Sequence, residues 1–195
     1  MQIFGIILAG GEGRRMGGSD KALMPLAGMP LVAHAIDRLQ PQVAALAISA
    51  NGDATRFARF GLPVLADDHS MGPLSGLLSA LTWAAARGAD AVVSVPVDAP
   101  FLPGDLTPRL LLAADGVGLA LARSAGRVHA VCGLWPVALA PALAAFLASG
   151  VKAKVLDFAT GQGAVYADFP DDGAFSNLNT AEDLAAAEAL LRPAG

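Results

Sequence analysis

Three cations, Arg14, Arg15 and Lys21, fall within eight positions of the stretch Leu8-Ala9-Gly10-Gly11-Glu12-Gly13-Arg14-Arg15-Met16-Gly17-Gly18-Ser19-Asp20-Lys21, a combination suited to holding a triphosphate. Glycines free the backbone to aim several N–H donors at anionic oxygens, and the cations offset phosphate charge. The chain as a whole is acidic, with a net charge of −4. The local sign therefore opposes the global one, as expected of an anion site in an acidic protein. Two common phosphate loops do not account for the stretch. The dinucleotide fingerprint G-x-G-x-x-G begins at Gly11 but meets Met16 where its third glycine belongs. The P-loop spacing from Gly13 to Gly18 is followed by Ser19-Asp20 where Lys-Ser/Thr is required.

A carboxylate of the opposite role stands in Pro96-Val97-Asp98-Ala99-Pro100. Between two prolines, at the end of a strongly apolar run, Asp98 has a rigid mount from which to present oxygen to a hard cation. Mg²⁺ takes one or two carboxylates and completes its shell with water and substrate phosphates. A turn or helix-capping aspartate is the alternative reading of that position.

The elements that must position these groups follow from the apolar pattern. Ile3 to Leu8 reads as a buried strand that delivers the glycine-rich loop. A helix from Pro30 to about Leu39, a strand Val43 to Ser49, a short helix Asp53 to Phe60 and a short strand Pro63 to Leu65 come next. Leu74, Leu77, Leu78 and Leu81, at i, i+3, i+4 and i+7, mark an amphipathic helix reaching about Arg87. Beyond it lie a strand Ala91 to Val95, a helix Asp105 to Leu112, strands Val117 to Ala122 and Val128 to Trp135, and a helix Val137 to Leu147. A short helix Lys152 to Phe158 and a strand Ala164 to Phe169 complete the alternation. Thr180-Ala181-Glu182-Asp183 resembles a capping box opening a last helix, with Leu184, Leu190 and Leu191 as its apolar face. Alternation at this spacing predicts an α/β fold with a mostly parallel central sheet and helices on both faces, formed as one domain over residues 1–195. With 54% hydrophobic and 15% charged residues, such a doubly covered sheet is where the apolar surface has to go.

The same composition excludes several classes. No long Lys/Arg run accompanies the acidic balance, which argues against nucleic acid or anionic membrane as a partner. Ile3 to Ala9 has no basic region before it and is too short for a span or signal peptide. Val128 to Val151 lacks Asp, Glu, Lys and Arg but is punctuated by Gly133, Pro136, Pro141 and Gly150, so it divides into strand and helix. Cys132 stands alone, which rules out an intrachain disulfide and points to a reducing, cytoplasmic setting. His34, His69 and His129 match no zinc-ligand spacing, and Ser19, Ser75 and Ser94 have no nucleophile elbow around them. Trp83 and Trp135 read as packing residues.

In open α/β sheets ligands lie across the carboxyl ends of the strands. That rule selects the glycine-rich loop, Ala50-Asn51-Gly52, Ala66-Asp67-Asp68 and Pro96-Val97-Asp98. Leu8-Ala9-Gly10-Gly11, Arg15-Met16-Gly17 and Asp20-Lys21 are similar to the signature of nucleotidyltransferases acting on nucleoside triphosphates. Together with Gly72-Pro73-Leu74-Ser75-Gly76, Pro96 to Pro100 and Asn177-Leu178-Asn179-Thr180, in that order along essentially the whole chain, they resemble the molybdenum cofactor guanylyltransferase family. The resemblance implies a Rossmann-like nucleotidyltransferase three-layer sandwich. It also implies transfer of GMP from GTP to the terminal phosphate of molybdenum-molybdopterin with release of pyrophosphate, Mg²⁺ as cofactor, and molybdoenzymes or their insertion chaperones as recipients of the product. On the matching positions it implies catalytic roles for Lys21, Arg15 and Asp98, with Asp98 on the metal. Leu8, Ala9, Gly10, Lys21, Ser49, Asn51, Asp67 and Asp98 would contact GTP, Asp67 through guanine or ribose. Asn177, Asn179 and Lys154, with Lys152 as an alternative lysine, would serve molybdopterin. Ser49 stands where the family tends to have Asn. The rivals are a cytidylyltransferase using CTP, against which Leu8-Ala9-Gly10-Gly11 and Gly72-Pro73-Leu74 speak, and a noncatalytic nucleotide-binding module, against which the joint presence of Lys21 and Asp98 speaks.

Overall fold

Six apolar residues without interruption, Ile3–Leu8, form strand β1 at the centre of the sheet, where both faces of a strand are covered and no alternation of polarity is needed. A computed structural model of the chain describes residues 1–10, 20–66, 72–116, 118–150, 154–170 and 173–191. After β1 come a 3₁₀ turn Lys21–Leu23, strands β2 (Pro25–Leu26) and β3 (Met29–Pro30), helix α1 (Leu31–Leu39), β4 (Ala45–Ser49), a 3₁₀ segment Ala54–Phe60, and β5 (Val64–Leu65). Then follow α2 (Pro73–Ala85), β6 (Ala91–Pro96), α3 (Leu106–Ala113), β7 (Ala120–Ser124), β8 (Arg127–Pro136), α4 (Ala140–Ala148), α5 (Val155–Gly161), β9 (Val165–Phe169) and α6 (Ala181–Leu191).

The main sheet has the order β5-β4-β1-β6-β8-β7-β9. Pairing is parallel from β5 to β6 and again between β7 and β9, while β8 runs antiparallel to both neighbours. β1 splits its side chains between two cores. Ile3 and Ile7 pack with Val32, Ala35 and Leu39 of α1 and with Leu106 and Leu110 of α3. Phe4 and Ile6 pack with Leu74, Leu77 and Leu81 of α2, Leu143 of α4 and Phe158 of α5. Helices therefore cover both faces, and the three-layer arrangement expected from the sequence is the one observed. One polar pair in the core is satisfied internally: Trp135 Nε1 donates to Ser94 Oγ at 2.8 Å, which in turn donates to the Val131 carbonyl at 2.6 Å.

Several expectations are adjusted. Pro30 does not begin α1 but ends β3 and precedes Leu31 in an extended conformation (φ −66°, ψ 149°). The two-residue strands β2 and β3 pair antiparallel, Leu26 opposite Met29, a ribbon too short to show any apolar alternation in sequence. β7 lies at Ala120–Ser124, shifted toward its turn with β8 relative to the apolar run, and α5 begins three residues after Lys152. On α6 the buried contacts come from Ala187 and Leu184, whereas Leu190 is 77% exposed, because the helix rests on the small β2–β3 ribbon and not on a broad sheet face.

The helix that follows β5 explains its own sequence. Gly72 takes φ 78° and ψ −158°, a region open essentially to glycine alone, and Pro73 occupies the first turn. Gly76 faces β4 and β1: a Cβ there would collide with Ser49 Oγ and lie 3.0 Å from Leu8 Cδ2. The missing side chain lets α2 press against the carboxyl ends of the two strands. Gly76→Ala is expected to cost about 1–3 kcal/mol by overpacking, read as a lower denaturant midpoint. Removing the struck oxygen with Ser49→Ala should recover part of that loss; a neutral Gly76→Ala would show the contact to be slack.

Candidate functional site

β1 and β6 pair in register from Ile3 opposite Ala91 to Leu8 opposite Pro96, so the segments leaving their carboxyl ends emerge side by side. The chain first extends the sheet from β1 toward β5, then returns through α2 to lay β6 on the other flank of β1. That reversal is the switch point at which open α/β sheets leave a crevice. The backbone continues the pairing beyond the strands. Ala9 N–H donates to the Ser49 carbonyl at 2.8 Å, Val97 N–H to the Leu8 carbonyl at 3.1 Å, and Ala50 N–H to the Leu65 carbonyl at 3.1 Å. Gly10, exposed at the end of this fan, has no positive φ, and a Cβ on it would meet nothing within 4 Å. Neither backbone conformation nor packing among the described residues calls for glycine there.

Lys21 and Asp98 meet across that crevice. Asp20 Oδ1 accepts from Ala22 N–H at 3.0 Å and so caps the 3₁₀ turn that starts at Lys21. From this turn Lys21 Nζ donates to Asp98 Oδ2 at 2.6 Å and to Asn179 Oδ1 at 2.8 Å. The two charged side chains are only 23% and 16% exposed, so each would be costly without the other. The third partner is fixed from two sides. Leu178 N–H donates to the Asp98 carbonyl at 2.9 Å, which ties the segment carrying Asn179 to the segment carrying Asp98. Asp183 Oδ2 accepts from both Asn179 N–H and Thr180 N–H at 2.8 Å, and Asp183 N–H donates to Thr180 Oγ1 at 3.1 Å. This reciprocal cap opens α6, and α6 is seated by Leu178 and Ala187 against Leu26 and Leu31. The backbone donors of Asn179 and Thr180, then the Thr180 hydroxyl, hold the Asp183 carboxyl below its ordinary value, with a smaller contribution from Lys21. Burial, assisted by the nearby Asp98 charge, pushes the Cys132 thiol up and leaves it inert.

The remaining sequence candidates fall out as follows. Asn51 is exposed beyond β4. Ser49 is 2% exposed with its hydroxyl against Gly76, so its side chain faces α2 and only its carbonyl serves the crevice, through Ala9. Asn177 is exposed two residues before Asn179, and Lys154 is exposed at the N-terminal boundary of α5, with no contact among the described residues joining it to Lys21. Arg15 and Asp67, like Arg14, Asp68, His69 and Lys152, lie outside the described residues. Arg56, which no motif marks, bonds to Asp20 and to the loop after β4.

Chemically, the described residues of the crevice offer one ammonium, one carboxylate, one primary amide and an open glycine edge. Such groups are suited to pairing with ions of either sign; among the described residues they are not a nucleophile with its base. Among the described residues no group of three or more His, Cys, Asp or Glu could cage a metal. A single carboxylate is nonetheless the donor set that suits Mg²⁺ shared with a substrate's phosphates. No helix of the described residues is long and apolar enough to cross a membrane.

Comparison with known proteins gives a consistent result. Residues 5–163 match the family model described as MobA-like NTP transferase domain. A protein of Cereibacter sphaeroides named molybdenum cofactor guanylyltransferase is 63% identical over 192 residues, covering 98% of each chain. Among solved structures, molybdopterin-guanine dinucleotide biosynthesis protein A of Archaeoglobus fulgidus superposes with a TM-score of 0.76 at 21% identity, over 96% of this chain and 98% of that one. The 2-C-methyl-D-erythritol 4-phosphate cytidylyltransferase of Thermus thermophilus reaches a TM-score of 0.70 at 19% identity, over 95% and 97%. The fold is thus shared with a protein named for a different nucleotide, and it does not by itself choose the base.

The cap at α6 gives a pH signature with a definite sign. Asp183 titrates below the ordinary aspartate value near 3.8. Its stabilisation is therefore complete above that value and is lost as pH falls through the lower folded-state value. Asp183→Ala should melt at a lower temperature than the parent at pH 7, and the difference should close as pH drops below about 3.8. A difference that stays constant into acid would mean that the carboxylate charge plays no part in the cap.

Proposed function

The chain belongs to the MobA-like NTP transferase family, and on that premise we propose that it transfers GMP from GTP to the terminal phosphate of molybdenum-molybdopterin, releasing pyrophosphate. The observation that carries the reading is the meeting of Lys21 with Asp98 and Asn179, at 2.6 and 2.8 Å, at the carboxyl ends of β1 and β6. The high identity to a protein named molybdenum cofactor guanylyltransferase supports this choice of substrates.

In this reaction an oxygen of the acceptor phosphate forms a bond to the α-phosphorus of GTP as the bond to the β-phosphate oxygen breaks. The attacking phosphate is already deprotonated near neutral pH, so no strong general base is required. The obstacle is electrostatic: two unit charges about 4 Å apart repel by roughly 4 kcal/mol at an effective dielectric near 20. Backbone at Leu8, Ala9 and Gly10 would take the phosphates, and the Lys21 ammonium would lie on the reacting groups, with Arg15 as a second cation. Asp98 would hold Mg²⁺, which when bound supplies positive charge to the triphosphate and the leaving pyrophosphate. The amide of Asn179 has two ends. Its oxygen holds Lys21, which leaves its nitrogen as a donor toward an acceptor phosphate, with Asn177 and Lys154 on the same side of the proposal. Asn51 and Asp67 would meet the nucleoside, Asp67 at guanine or ribose. We place the reaction in the cytoplasm, with molybdoenzymes or their insertion chaperones taking the product.

Two measurements test the reading. Thermal melting with Mg²⁺ and nucleotide should show stabilisation by GTP, about 2.7 kcal/mol at a hundredfold excess over Kd, and much less by CTP. Stabilisation by CTP alone would overturn the choice of base. In turnover assays Lys21→Ala should lower kcat about 10²- to 10³-fold, corresponding to roughly 2.7–4 kcal/mol of transition-state stabilisation, with a smaller change in GTP affinity. A variant that keeps kcat and only raises KM would make Lys21 a binding residue.

A further inference from the structure

Arg56 sits on the 3₁₀ segment Ala54–Phe60, away from every motif, yet its guanidinium is engaged through all three of its nitrogens. Nε donates to Asp20 Oδ2 at 2.5 Å, one terminal nitrogen donates to the Asp53 carbonyl at 2.6 Å, and the other to the Asn51 carbonyl at 2.6 Å. The guanidinium also lies over the ring of Phe57, 4.6 Å from its centroid, and Phe57 is fully buried in the core under the sheet. The loop it grips is turned by Gly52 at φ 77°, where a Cβ would come 3.5 Å from the guanidinium. Asp53 caps the same segment, its Oδ1 accepting from Thr55 N–H at 2.9 Å, so the base of the side chain is fixed as firmly as its tip.

The two things joined in this way are functionally distinct. Asp20 shapes the turn from which Lys21 projects, its other oxygen capping Ala22 N–H. The carbonyls of Asn51 and Asp53 belong to the loop after β4, on the flank of β1 opposite Asp98. One ammonium could not reproduce this: a planar fork of five donors serves three acceptors in three directions, whereas a lysine has a single point of charge. Three acceptors drawn from two loops also exceed what anchoring a short surface helix requires, since Asp53 and Thr55 already supply its cap.

We infer that Arg56 is a positioning residue of the nucleotide site, a staple that holds the loop after β4 at a fixed distance from the Asp20–Lys21 corner, so that the nucleoside end and the phosphate end of one triphosphate are set by a single rigid part. The inference rests on the proposed nucleotide chemistry of the crevice and adds to it a residue that touches no substrate. Removing Arg56 loosens the spacing between two halves of the site while leaving Lys21, Asp98 and Asn179 in place.

The test measures Mg²⁺–GTP binding by calorimetry on the whole chain, alongside turnover. Arg56→Ala and Arg56→Lys are expected to weaken GTP binding about tenfold or more, as loss of charge-assisted hydrogen bonds does, with KM for GTP rising more than kcat falls. Low millimolar guanidinium should restore part of the affinity of Arg56→Ala and none of that of the parent. Asp20→Ala should weaken binding similarly, and the double variant Asp20→Ala/Arg56→Ala should be little worse than the weaker single one, because both break the same link. Unchanged GTP affinity in a folded Arg56 variant, or additive losses in the double variant, would overturn the assignment. So would failure of both Arg56 variants to fold, which would make the residue part of the scaffold. Should the parent bind CTP and not GTP, the choice of base fails on its own, and the same variants read with CTP still decide the role of Arg56.

Discussion

A lysine whose side chain is three-quarters covered by protein cannot be left without compensation, and the way Lys21 is compensated sets the requirements on much of the fold. Its partners are Asp98, 77 positions away, and Asn179, 158 positions away, so no local structure could bring them together. Part of what does so is the register of β1 with β6. With Leu8 opposite Pro96, the chain leaves the two strands side by side. That register is itself fixed by burial, since a slip of one residue would exchange the side chains of Ile3 and Ile7 for those of Phe4 and Ile6 between two differently shaped cores.

The ion pair has a further consequence for a site meant to receive anions. Among the described residues the charge of Lys21 is already paired with that of Asp98 before any ligand binds. A triphosphate offers the ammonium a new counter-ion, and a hard cation offers the carboxylate one. On the proposed reading, binding is an exchange of partners between groups that are paired before and after, and neither charge is stranded in a part-buried place at any stage. Asn179, which holds Lys21 through a neutral amide oxygen, can remain bonded throughout, since its contact involves no net charge that must be re-neutralised.

Much of the architecture was legible in the sequence because burial on both faces leaves long apolar runs: β1, β6 and β8 are where apolar segments place them, and the leucine spacing from Leu74 to Leu81 marks α2. The parts that were not legible are those whose signal is shorter than a period. β2 and β3 have two residues each, turned through Ala27 and Gly28 at φ 49° and 82°, and no alternation can be read from two residues. The face of α6 was misjudged at Leu190 because the partner of that helix is this unseen ribbon. For the site, residue types and motif order pointed to Lys21, Asp98 and Asn179 separately, but their contact is a property of the sheet order. Arg56 left no trace, since an arginine on a short surface helix is ordinarily a solvated one and its three acceptors include two backbone carbonyls.

The division of labour along the chain follows from the same geometry. The family match ends at residue 163, before β9, Asn179 and α6, yet these late residues complete what the earlier ones begin. Leu26, fully buried, has its cover in Leu178 and Ala187. Without that cover the ribbon directly following Lys21 would expose apolar surface and lose the support that fixes its entry. The carbonyl of Asp98 likewise has its donor in Leu178. The terminal segment thus touches the Lys21 side chain, the Asp98 backbone and the ribbon between Lys21 and α1, with the Thr180–Asp183 cap setting where the segment stops being extended and becomes helix. The sheet places the strand ends side by side, and the hold on the ammonium between them includes a contact from this terminal segment.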